Sequence, residues 1–215
     1  MTAQLLAAAH GTRSVAGAAT VRALISQVRA LRPGLAVDLC YLDVQHPRLG
    51  ARLDAAPGPV VVVPLLLSAG YHVVDDIPST ASSRARVARH LGPDPAITQV
   101  LVSRLASAGG DDADVVALVG SPSTRSSAGR DLAAAAASLA DAIGRPVHPL
   151  TVGDPLPAGL GRLAVATYLL GEGFFFDTLR DAAAAAGAAL TEPLGADPAI
   201  AALILRRYDE AVALN

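Results

Sequence analysis

Thr12-Arg13-Ser14-Val15-Ala16-Gly17 returns as Thr124-Arg125-Ser126-Ser127-Ala128-Gly129, and Leu91-Gly92-Pro93-Asp94-Pro95-Ala96-Ile97 returns as Leu194-Gly195-Ala196-Asp197-Pro198-Ala199-Ile200. Two anchors in the same order make the chain a duplication of one unit. Between them, Leu67-Ser68-Ala69-Gly70-Tyr71-His72 aligns with Leu170-Gly171-Glu172-Gly173-Phe174-Phe175, so His72 faces Phe175. His10, just before the first anchor, faces Pro122. The frame repeats and the imidazoles do not, which suggests one active site on a two-domain frame.

Within each copy the apolar pattern alternates between strand and helix. Residues 4–9 form a short apolar run ended by His10-Gly11, and 14–31 carry helical spacing until Pro33-Gly34. Residues 36–42 and 60–66 read as further strands. The second copy repeats this with strands at 115–119, 147–152 and 163–169, a helix at 126–143 and a last helix from 197. Near-continuous apolar strands separated by helices predict parallel sheets covered on both faces. The fold class is therefore α/β: two tandem three-layer α/β/α domains, 1–108 and 113–215. The glycine- and aspartate-rich tract 106–114 is the expected linker. Gly129 to Gly173 is 44 positions against 53 from Gly17 to Gly70, so the second copy has lost about nine residues in its middle.

With 215 residues, 52% of them hydrophobic, the chain can fill two cores of about 100 residues each. The apolar stretch 60–67 is interrupted by Pro64 and falls far short of the roughly 20 residues of a membrane span. No signal peptide is expected, and a lone Cys40 fits a reducing cytoplasm. A net charge of -2 disfavours general nucleic-acid binding. All 17 fixed cations are arginines, whose planar fork suits carboxylates, although base composition of the genome explains the bias equally well.

Ligands of open parallel sheets bind beyond the carboxyl ends of the strands. His10 ends the first strand, His72 follows the third, and Asp43 ends the second, so two imidazoles and a carboxylate fall at one edge. Such a set is suited to a metal that must be released, or to proton transfer near neutral pH. Asp43 is equally placed to cap the segment that starts near His46-Pro47. The 65–72 run, apolar and then small, with Ser68, Gly70 and Tyr71, can take the flat face of a large ring, Gly70 allowing close backbone approach, while Leu65 and Leu66 themselves read as the end of a buried strand. Arg13 and Ser14 stand at a helix start, where anions are favoured, and a capping role accounts for them as well. His46, His90 and His148 read as structural or solvated. Dinucleotide, P-loop, zinc-ribbon and nucleophile-elbow motifs are missing.

Ala8-Ala9-His10-Gly11-Thr12-Arg13, the Tyr41-Leu42-Asp43 strand end, and the run from Val63-Pro64-Leu65 through Gly70-Tyr71-His72 to Asp76-Ile77-Pro78 together resemble the sirohydrochlorin chelatases of the class II chelatase group. The likeness runs through about the first 100 residues and returns, degraded, in the second half. It implies an ATP-independent lyase that inserts a divalent metal, ferrous iron in the first place and cobalt in the second, into sirohydrochlorin for siroheme or cobalamin synthesis. It makes His10 and His72 the metal-binding and proton-accepting residues, with Asp43 where many members carry Glu. No permanent cofactor is implied; the metal is a substrate. Phe174, Phe175 and Phe176 would close the cleft from the second half, and Arg13, Ser14, Ser121, Ser123 and Thr124 would meet the ring carboxylates. A monomer without nucleic-acid or membrane partners is expected. The competing expectation is a tetrapyrrole or metal carrier that kept the cleft and lost turnover.

Overall fold

Leu5, Leu6, Ala7 and Ala8 have no exposed surface, so the first strand is buried on both faces, as its unbroken apolar run requires. The computed structural model describes residues 3–213. In it β1 (Gln4–Ala9), β2 (Val37–Tyr41), β3 (Val60–Pro64) and β4 (Arg86–Val87) form a parallel sheet in the order β2-β1-β3-β4. The second copy builds β5 (Val115–Gly120), β6 (Val147–Thr151), β7 (Leu163–Tyr168) and β8 (Ala189–Leu190) into a second parallel sheet, β6-β5-β7-β8. The two orders are the same, and both place the first and third strands of a copy side by side at the sheet centre.

Helices α1 (Val15–Leu31), α2 (Leu49–Ala55), α3 (Ile77–Ala81) and α4 (Pro95–Ser107) belong to the first copy by sequence. The second contributes α5 (Ser126–Ile143), α6 (Phe174–Ala185) and α7 (Pro198–Ala213). The missing nine residues are accounted for by α2: β6 runs to β7 through 152–162, which hold no helix. The repeated Leu-Gly-x-Asp-Pro-Ala-Ile motif is a helix start. Asp94 accepts a hydrogen bond from the Ala96 N–H at 2.9 Å and Asp197 from that of Ala199 at 2.9 Å, each followed by a proline with no N–H to satisfy.

The expected division at 106–114 separates the sheets but not their coverings. Helix α4 packs on β7 and α5 of the second half, and α7 packs on β3 and α1 of the first. Each half therefore lends its last helix to the other, and one buried cluster runs from Leu5 and Val63 through Leu101 to Val116 and Ile204. At the crossing, the guanidinium of Arg207, 1% exposed, donates to Asp94 at 2.7 Å and to the carbonyls of His90 and Leu91. Burial opposes ionisation of Asp94, but the Ala96 N–H, Arg206 and Arg207 together hold its pKa below the usual carboxylate value. A charge so enclosed is tolerable only because it is paired and hydrogen-bonded.

His90 sits at the same joint and donates from Nε2 to Asp131 of α5 at 3.0 Å. Burial lowers its pKa; Asp131 pulls upward, and Arg89 and Arg207 push down. Cys40 is enclosed beneath β1, and burial pushes its thiol up to about 12, which leaves it unreactive. No helix among the described residues is long and apolar enough to cross a membrane.

Ile204 is fully buried on α7, in the cluster shared by both sheets. Ile204→Ala is expected to cost about 2–5 kcal/mol, with urea unfolding of the two halves remaining a single transition; two separated transitions would contradict the helix exchange. His90 has a folded pKa below its ordinary 6.5, so its contribution to stability is present above that value and lost as pH falls through the folded one. Melting temperature should accordingly fall more steeply between about pH 7 and 5 in the wild type than in His90→Gln; equal slopes would refute this.

Candidate functional site

The chain leaves β1 through His10 and turns at Gly11, whose φ is +96°. A side chain there would begin 2.1 Å from the Asp43 carbonyl oxygen, so the position needs glycine for both conformation and space. The Asp43 N–H donates to the His10 carbonyl at 2.8 Å, which ties the end of β2 to the end of β1. His10 is thereby fixed at the carboxyl edge, beside the β1/β3 switch point where open parallel sheets bind ligands.

His72 arrives from the other side of that point. After β3 the chain crosses through 65–70, and a π-helical turn, His72–Asp76, leads into α3. This wide turn sets Asp76 against His72, with Nδ1 and Oδ2 2.8 Å apart. The two imidazoles meet edge to face, ring centroids 4.8 Å apart and planes at 87°. Each has an acceptor at Nδ1: Asp76 for His72, and the Gly11 carbonyl, at 3.1 Å, for His10. An acceptor at Nδ1 holds the proton there and leaves Nε2 as a lone pair. The site thus presents two imidazoles whose Nδ1 atoms are engaged, which leaves Nε2 of each as the nitrogen able to bind a metal or exchange a proton.

Both rings line a cavity of about 840 Å³ between the halves, within the ordinary range for a small-molecule site. Leu65, Leu66 and Leu67 form its wall in the first half; Leu169, Leu170 and the Phe174–Phe176 segment face them from the second. Ser68, Ser121, Ser123, Thr124 and Glu172 interrupt the apolar lining. Among the described residues no arginine lines it.

The structure brings His10, His72, Ser68, Gly70, Tyr71, Ser121, Ser123 and Phe175 to this cavity. Arg13 and Ser14 do not line it: Ser14 caps α1 by accepting from the Gly17 N–H at 3.1 Å, and Arg13 is exposed to solvent. Asp43 also stands apart. Its carboxylate pairs with Arg48 at 3.0 Å and accepts from the Val44 N–H at 2.8 Å, and these two contacts lower its pKa. Among the described residues no three His, Cys, Asp or Glu side chains gather as a metal-holding group, so Asp43 does not complete one with the histidines. Of the three phenylalanines, Phe174 is 79% exposed at the rim and Phe176 5% exposed in the core, with Phe175 between them. Sequence reasoning passed over Asp76, Glu172 and Gln45. The four-residue spacing of His72 and Asp76 becomes a signal only once the segment is read as helical rather than as a loop.

The CbiX family model matches residues 4–108. No curated protein sequence matches the chain. Among solved structures, the sirohydrochlorin chelatase SirB from Bacillus subtilis subspecies spizizenii, in complex with cobalt, superposes with a TM-score of 0.83 at 21% identity over 99% of this chain and 96% of that one. SirB from Bacillus subtilis with Fe3+ gives 0.82 at 21% identity, with the same coverage. DR2241 from Deinococcus radiodurans, a multi-domain protein with structural similarity to chelatases, gives 0.74 at 20% identity over 98% of this chain and 56% of that one. At these identities the likeness establishes the fold: the two-sheet α/β frame of chelatase structures.

Gly11→Ala forces a methyl group onto the Asp43 carbonyl at a positive φ. It should cost about 1–3 kcal/mol, measured as a lower denaturant midpoint; an unchanged midpoint would show that the His10 turn does not depend on this contact.

Proposed function

We propose that the chain, whose residues 4–108 match the CbiX family model, inserts a divalent metal ion into sirohydrochlorin, with ferrous iron as the ion and cobalt as the close alternative. One observation carries the reading: two adjacent imidazoles, with contacts at Nδ1 and none at Nε2 among the described residues, stand on one wall of a cavity whose opposite walls are largely apolar. The similar SirB structures, a sirohydrochlorin chelatase with cobalt and SirB with Fe3+, support a sirohydrochlorin substrate and a site that accepts cobalt or iron.

Insertion exchanges two pyrrole N–H bonds for bonds from nitrogen to the metal, so the ring and a divalent ion give the metallated ring and two protons. Nitrogen lone pairs on His10 and His72 suit both halves of this exchange: they replace water on the incoming ion, and they accept protons as the ring nitrogens release them. Asp76 holds His72 in the tautomer that leaves Nε2 basic, and its negative charge stabilises the imidazolium that forms. The leucine and phenylalanine walls take the faces of the macrocycle and exclude water, while the absence of arginine from the lining leaves the ring's carboxylates at the rim. A two-nitrogen site binds loosely compared with the closed four-ligand sites that retain metals, which favours transfer over storage.

Purified protein is mixed with sirohydrochlorin and ferrous or cobaltous ion under anaerobic conditions, and the ring absorbance is followed against the uncatalysed rate. Acceleration is expected with at least one ion. His10→Ala and His72→Ala should each reduce the rate by about 100-fold or more with the thermal transition retained. Tight binding of ring or ion without acceleration would instead establish the carrier.

A further inference from the structure

Side chains that hold the His72 loop lie on the second copy, which has no counterpart of His10 or His72. Asp131 of α5 accepts from the Ala69 N–H at 2.6 Å, and Ser127, one turn earlier, donates to the Ala69 carbonyl at 2.6 Å. Both polar groups of one residue, three positions before His72, are thus taken by one helix of the other half. Tyr168 donates to the Leu67 carbonyl at 3.2 Å, and Arg125 pairs with Asp75 on the π-helical turn at 2.7 Å while lying over the Tyr71 ring.

The pseudo-symmetric contact is built differently. Helix α1 meets the 171–173 loop by close packing, with the Gly17 Cα so near that a side chain would begin 2.2 Å from the Glu172 carbonyl oxygen. At the positions of Ser127 and Asp131, α1 carries Val15 and Ala19, which have no hydrogen-bonding side chain. The place of Asp75 is taken by Thr178. The asymmetry of the histidines is matched by an opposite asymmetry in the helix that faces them.

We infer that Asp131 and Ser127 are positioning residues for His72: α5 fixes the Ala69 peptide and so sets the π-helical turn at the distance from His10 that the reaction needs. The inference rests on the chelatase reading for its chemistry, but the grip itself is measurable without substrate. An ionised acceptor on a loop amide is worth more than a neutral one, and a small displacement of a reacting group costs about 100-fold in rate.

Hydrogen exchange of the free protein, read by mass spectrometry over residues 66–72, is compared with kcat and KM for metal insertion in Asp131→Ala, Asp131→Asn and Ser127→Ala. Asp131→Ala is expected to speed exchange there by about tenfold or more and to lower kcat by about 100-fold with KM little changed. Asp131→Asn, which keeps an oxygen for the Ala69 N–H, should recover most of both. Ser127→Ala, which leaves the Asp131–His90 contact intact, should act in the same direction to a smaller degree and serves if Asp131→Ala does not fold. Unchanged exchange in both alanine variants, an unchanged kcat despite faster exchange, or an Asp131→Asn variant as impaired as Asp131→Ala would each overturn the inference. A wild-type protein that does not accelerate insertion sinks the chelatase reading alone, because the exchange arm needs no substrate.

Discussion

Each sheet in this protein has a face that its own copy cannot cover, and the exchange of α4 and α7 is what closes both. Parallel strands buried on two sides must be covered by helices, and the covering helix here comes from across the pseudo-dyad. From this follow the shared core, the buried Asp94–Arg207 pair that ties the start of one lent helix to the body of the other, and the fixed separation of the two carboxyl edges. The cavity exists because those edges are held apart by packing elsewhere.

On that frame the chemistry is concentrated in few atoms. One strand end and one π-helical turn deliver two imidazoles to one point, and two nearby acceptors, a carbonyl and a carboxylate, lie against Nδ1 of the two rings. The apolar walls add shape without charge. Asp43 shows the cost of competing neighbours: at the same edge, its carboxylate is taken up by Arg48 and the Val44 N–H.

Much of this was readable from the chain. The repeat announced two sheets of equal order, the apolar runs marked the central strands, and the unmatched His10 and His72 are residues that the structure brings to one cavity. What could not be read was anything settled by contacts between distant segments. Helix α4 is the natural end of the first copy in sequence, and only its packing on β7 and α5 moves it across. Asp43 looked like a ligand because strand ends converge at the edge, but spacing says nothing of Arg48 turning back on it. Ser14 was an even choice between capping and anion binding, and the local hydrogen bond to Gly17 decided it. Asp76 was hidden by its turn, since a π-helical segment of five residues has no periodicity long enough to read.

The helix exchange has the symmetry of an isologous dimer in which each partner lends the same element to the other. In a true dimer every substitution appears twice, so a residue that improves the hold on one histidine loop must also be tolerated opposite its own. Joining the copies in one chain removes that constraint. Asp131 can then sit where Ala19 remains small, and Phe175 can fill the place of a histidine without loss at His72. Covalent fusion here acts as a release from symmetry, giving each half of one interface its own sequence to vary.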